Sequence, residues 1–166
     1  MASPFARAPI AKIDRPDEDE RARLDRNLDQ LMQGLRVALP GVQVLFAFLL
    51  VLPFQDRFAT VTAFERTTYF VTLLATAAAT VLLIAPSARH RVTFRQGDKR
   101  WNVLTANRLA LAGLCCLAVA MCGAILLISE FLYGGLVGAV VTTGLALLVL
   151  VLWIVSPLLR RRLTEL

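Results

Sequence analysis

The sequence predicts an all-α integral membrane four-helix bundle with an N-terminal cytoplasmic amphipathic helix. Three observations carry that reading. The chain of 166 residues is 57% hydrophobic, with a mean hydropathy of +0.65, against the roughly 45–50% apolar content of an ordinary soluble domain. Its apolar residues lie in four long blocks rather than in short periodic patterns, leaving too little polar surface to cover a soluble core. Its Lys and Arg residues fall almost entirely in alternate segments between those blocks.

Residues 1–15 are aperiodic and rich in Ala, Pro and Arg, which predicts a tail without regular structure. No apolar core follows these basic residues closely enough for a signal peptide, since the first apolar block begins near Val37. A cytoplasmic helix is expected over residues 16–36. Asp14 suits its N-cap and Pro16 its first turn, and Asp17, Glu18, Asp19 and Glu20 complement the positive end of the helix dipole. Asp17 with Arg21, and Asp19 with Arg23, are acid-before-base pairs four apart. Leu24, Leu28, Leu31 and Leu35 form an apolar seam at 4-3-4 spacing. Two heptads are too few for a coiled coil of their own. The seam therefore needs a cover: the protein's own membrane-proximal surface, a neighbouring protomer, or the lipid interface.

The transmembrane domain is expected over residues 37–158. Its first span, 37–54, loosens at Pro40-Gly41 and stops at Pro53; the second, 67–85, stops at Pro86. The third covers about 108–128, with helix possible from Lys99 onward, and the fourth covers 133–155. Only Ser129 to Leu132 separates the last two, which predicts an antiparallel hairpin. Pro157 and Arg160-Arg161-Arg162 stop the fourth span, and 159–166 form a basic cytoplasmic tail.

Orientation follows from the cations. Arg7, Lys12, Arg15, Arg21, Arg23, Arg26 and Arg36 precede the first span. Arg89, Arg91, Arg95, Lys99, Arg100 and Arg108 lie between the second and third, and the C-terminal arginines follow the fourth. The other two connections hold only Arg57 and Arg66. The rich segments belong in the cytoplasm, so both termini are expected there, in a bacterial plasma membrane. Phe54, Phe58, Phe64, Tyr69, Phe131 and Tyr133 make an outer aromatic belt, and Phe94, Trp101 and Trp153 an inner one.

The composition also excludes functions. The charge of +6 serves topology, and no basic stripe runs along a helix as nucleic-acid binding requires. Cys115, Cys116 and Cys122 sit inside one apolar block at spacings that match no zinc or disulfide framework. With a single histidine, His90, and no phosphate-cradling Gly loop, neither a catalytic constellation nor a cofactor is expected. No Asp, Glu, Lys or His stands near the middle of a span, where ion paths and proton relays keep theirs.

Three groups of residues remain as candidates. Gly134, Gly138 and Thr142, a second series of Gly135, Ala139 and Thr143, and Ala75 with Ala79 form small-residue faces for close helix packing within one bundle or between copies; Gly113, Ala120 and Ala124 do likewise in the third span. Gln43, Thr72, Thr76, Thr80 and Thr143 either line a narrow polar path or bond across helices and to their own carbonyls. Arg89, Arg91, Arg95, Lys99, Arg100 and Trp101 either attract anionic lipid headgroups or serve only as the topological signal.

The runs LDRNLDQLMQGLRVALPGVQVLFAFLLVLPFQDRF (24–58), LLIAPSARHRVTFRQG (82–97) and NRLALAGL (107–114) resemble an uncharacterised family of small actinobacterial membrane proteins, known only as a domain of unknown function. The resemblance covers most of residues 20–160. It implies a leucine-bearing N-terminal helix before four spans, and some automatic labels call members of this family sodium:proton antiporters. No site residue comes with it. The sequence thus leads first to a non-enzymatic oligomeric or accessory membrane subunit, a homo-oligomer or part of a larger complex. The alternatives are a small ion transporter or channel, and a module that senses anionic lipid.

Overall fold

The computed structural model describes residues 16–92 and 99–164, all helix or short turn. The tail 1–15, the Asp14 cap, the ion pairs of Asp17 and Asp19, Phe94 and Arg95 lie outside the described residues, as do the side chains of His90, Arg91, Lys99, Arg100, Arg161 and Arg162.

Helix α1 runs from Pro16 to Val51 without interruption, so the amphipathic segment and the first span are one helix of 36 residues. At 1.5 Å per residue it is about 54 Å long, against about 30 Å of bilayer hydrocarbon. Pro40 lies inside it. Pro40 removes one backbone donor and crowds the carbonyl of Arg36, but neighbouring helices and local adjustment let long membrane-type helices absorb that loss. A 3-10 turn over Leu52–Phe54, with Pro53 in its first turn, ends the helix. A second such turn, Asp56–Thr60, leads to α2.

Helix α2 spans Ala63–Val92 and passes through Pro86, the expected stop. Helix α3 covers Lys99–Tyr133. The expected four-residue turn between the third and fourth spans is therefore helical, and the break falls on one residue. Gly134 has φ 89° and ψ 169°, a conformation nearly reserved to glycine. Helix α4 follows over Gly135–Leu150. Val151–Val155 then widen into a π turn, where the Ser156 N–H bonds the Val151 carbonyl five residues back. This turn lies just before Pro157, which has no N–H and whose ring would press on the preceding turn. The chain continues helical as α5, Ser156–Thr164, past the expected stop.

Among the described residues, helices α1, α2 and α3 all touch one another, whereas α4 packs on α3 and on neither α1 nor α2. The buried seam of α1 repeats every seven residues at Leu35, Val42 and Leu49. The buried face of α2 follows the 3-4 spacing of close-packed helices, at Tyr69, Thr72, Thr76, Ala79 and Leu83. From α3 come the small residues Ala106, Ala110 and Ala120. The core joins Leu35 and Val42 to Ala79, Leu83 and Ala110, with Leu31, Leu39 and Leu114 packed against it. The C-terminal half of the leucine seam is thus covered by α2 and α3 of the same chain.

Among the described residues, four helices are long and apolar enough to cross a membrane: Asp25–Phe54, Ala63–Arg89, Val103–Tyr133 and Gly135–Arg160. At most 28% of the most apolar stretch of any of them is buried. Exposure on this scale fits helices that cross a membrane.

Candidate functional site

The threonine stripe sits where α2 meets α3. Thr72 and Thr76 are 1% and 0% exposed. Each hydroxyl donates to the carbonyl one turn back: Thr72 to Thr68 at 2.7 Å, Thr76 to Thr72 at 2.7 Å and Thr80 to Thr76 at 2.9 Å. Bonding of this kind satisfies a hydroxyl in an apolar setting without a partner helix. Gln43 is exposed on α1 and Thr143 is exposed on α4, so neither joins the buried stripe. Thr142 Oγ1 is buried and has no hydrogen-bond partner among the described residues. It lies in a recess of about 570 Å³ between α2, α3 and α4, shared with Thr68, Thr72, Cys115 and Cys122.

The small residues divide into those used inside the chain and those left open. Ala79 is fully buried and Ala75 half-buried. Gly138 is the one buried residue of α4; a Cβ there would stand 3.2 Å from the Glu130 backbone nitrogen. Gly134 makes the turn instead of a packing face. Gly135, Ala139 and Thr143 remain exposed.

Two glycines of α3 set its distance from α2. A Cβ at Gly113 would lie 2.8 Å from Leu83 Cδ2, and one at Gly123 would overlap Thr72 Oγ1. The sequence points weakly to Gly113 and not at all to Gly123, because the group that needs the space belongs to another helix.

At the basic end, the Arg89 guanidinium lies 4.9 Å from the centre of the Trp101 ring, tying the end of α2 to the start of α3 by a cation–π contact. Trp101 is still 55% exposed. Ser87 donates a hydrogen bond to Met32 Sδ at 3.3 Å, joining α2 to α1.

The opposite end is more tightly built. Thr62 caps α2: its N–H and hydroxyl donate to Glu65 Oε2 at 2.7 and 2.8 Å, and the Glu65 N–H donates back to Thr62 Oγ1 at 3.2 Å. This is a reciprocal capping box. The Tyr69 hydroxyl donates to the Leu49 carbonyl at 3.0 Å, fastening α2 to the end of α1. Phe58 meets the Tyr69 ring edge to face at 5.1 Å. The Arg57 guanidinium lies 5.7 Å from the centre of the Phe131 ring. These groups surround a cavity of about 530 Å³. The T-x-x-E spacing at 62–65 and the aromatic cluster were the available signals; nothing in the sequence brings Asp56 and Glu65 to one cavity.

Among the described residues, no three His, Cys, Asp or Glu side chains gather as a metal site. The three cysteines are free thiols.

These features define an all-helical protein with four candidate membrane-crossing helices among the described residues. The chain belongs to DUF6328, a family of unknown function, whose family model matches residues 17–157. No curated protein and no solved structure matches the chain.

Proposed function

We propose that this chain is a non-enzymatic, multi-pass protein of the bacterial plasma membrane that acts as an oligomeric or accessory subunit of a membrane assembly. Both termini lie in the cytoplasm, because the segments joined at that end hold sixteen of the 18 Lys and Arg residues, all but Arg57 and Arg66. The observation that carries the reading is the state of α4. Among the described residues it packs on α3 and on neither α1 nor α2, buries only Gly138, and leaves Gly135, Ala139 and Thr143 open along one four-residue series. In lipid, close backbone approach along small residues is what draws helices together. Conduction along the threonines has less support, since their hydroxyls are bonded within α2 and Gln43 and Thr143 stand apart from them. The antiporter label likewise finds no acid halfway along any span.

Light scattering of the full chain in mild detergent and in nanodiscs tests the proposal. The expected particle holds more than one chain or a retained partner, and Ala139→Leu reduces its size. A monomer in both media refutes self-association, and a monomer recovered from native membranes without a partner refutes the subunit role.

A further inference from the structure

The cavity at the end away from the basic segments combines three kinds of group. Phe58, Tyr69 and Phe131 give it aromatic walls, Asp56 and Glu65 bring carboxylates, and Arg57 brings one guanidinium; leucine and isoleucine side chains complete its apolar lining. Its volume of about 530 Å³ falls in the range of about 300–1,000 Å³ usual for small-ligand sites, which are mostly apolar with a few placed polar groups.

The charges are not arranged to cancel. Among the described residues, no ion pair joins Asp56 or Glu65 to Arg57. The guanidinium lies over Phe131 instead, so one wall of the cavity already holds a cation on an aromatic face. Glu65 commits Oε2 to Thr62, while its Oε1 has no hydrogen-bond partner among the described residues. Two carboxylates and one guanidinium leave a net charge of −1. The cavity also sits where apolar helix ends meet polar turns, so an amphiphile can rest its apolar body on the helices and its head among the turns.

We infer that this cavity binds lipophilic organic cations: molecules with a quaternary or protonated head and an apolar body. The head lies among the aromatic faces with Asp56 and Glu65 beside it, and the body lies on the α3 leucines and isoleucine. An anionic amphiphile of the same shape meets two carboxylates and a guanidinium already engaged with Phe131. Binding does not depend on the oligomeric state.

The test uses the full chain in nanodiscs of zwitterionic lipid, with tetraphenylphosphonium as probe and tetraphenylborate, its near-isosteric anion, as the opposite-charge control. Equilibrium dialysis against protein-free discs separates site binding from partitioning. Saturable binding of the phosphonium is expected, tighter than that of the borate, and weakened about tenfold or more by the Asp56→Asn/Glu65→Gln pair. Gln at 65 retains the capping box, so loss of fold does not account for that result. Arg57→Gln is expected to tighten phosphonium binding several-fold, because it removes a like charge and uncovers Phe131. Asp29→Asn, at the other end of the molecule, should leave binding unchanged. The inference falls if binding does not saturate above protein-free discs, if the borate binds as well as the phosphonium, or if the double variant binds like the parent.

Discussion

Replacing Gly123 with alanine tests the packing of α2 on α3 more sharply than any other single change. On helix propensity alone the substitution should stabilise α3 by about 1 kcal/mol, because glycine loses the most freedom on folding. The structure gives the opposite sign. The added Cβ would overlap Thr72 Oγ1 and lie 3.2 Å from Thr72 Cβ. Thr72 is 1% exposed and bonded to Thr68 at 2.7 Å. Relief requires either separation of the helices, an overpacking cost of about 1–3 kcal/mol, or rotation of the hydroxyl away from its acceptor, which strands a buried donor at about 1–3 kcal/mol. Subtracting the propensity gain from either leaves a net loss of up to about 2 kcal/mol, and more where the two costs combine. Thr72→Ala removes the overlapping oxygen, so the double variant should recover more than half of that loss. The remainder reflects the 3.2 Å approach, which persists between two Cβ atoms. Unfolding in mixed micelles, followed by circular dichroism over the four-member cycle, measures the coupling directly. A Gly123→Ala variant more stable than the parent, or a coupling near zero, would refute this account of the interface.

Other expectations follow from single contacts. Gly134→Ala places a side chain at φ 89° and should destabilise the α3–α4 hairpin by about 1–3 kcal/mol, seen as earlier proteolysis at the turn. Leu83→Ala removes a fully buried side chain of the core and should cost about 2–5 kcal/mol in the same unfolding assay. Tyr69→Phe deletes the bond to the Leu49 carbonyl, for a loss of about 1 kcal/mol and faster amide exchange at the end of α1. Thr62→Ala removes the cap of α2 at about 1 kcal/mol, with exchange rising in the first turn of that helix only.

How much of this was legible in the sequence depends on which force decided each feature. The helices themselves were plain, because long apolar blocks have few solutions in lipid. Their ends were not. Pro40 argues locally for a loosened junction and Pro86 and Pro157 for a stop, yet the helix passes all three, and at Pro157 the π turn over Val151–Val155 precedes the ring. A proline penalty of about 3 kcal/mol is small beside the packing of helices of 30 residues or more. Gly134 illustrates ambiguity within one residue type. Its spacing to Gly138 suggests a packing face, but with Gly135 beside it the same glycine is a turn, and only the backbone dihedral separates the two. The candidate residues followed the same division. The burial of Thr72 and Thr76 could be expected from a stripe on one face. That Gln43 and Thr143 face away from it could not, since helix rotation depends on partners. The cavity at Asp56 and Glu65 was out of reach because it needs the joint placement of the 56–60 turn, the start of α2 and the end of α3.

The one-residue break at Gly134 also bears on how the protein is made. A connection so short, carrying no charge of its own, cannot be threaded across a bilayer after its flanking rods have settled. As the proposed membrane protein, the chain would insert α3 and α4 together, as one pin led by the bend at Gly134. A chain cut before Gly135 would keep α3 on α2 through Gly113 and Gly123 and would bare the turn of α3 around Glu130 that Gly138 covers.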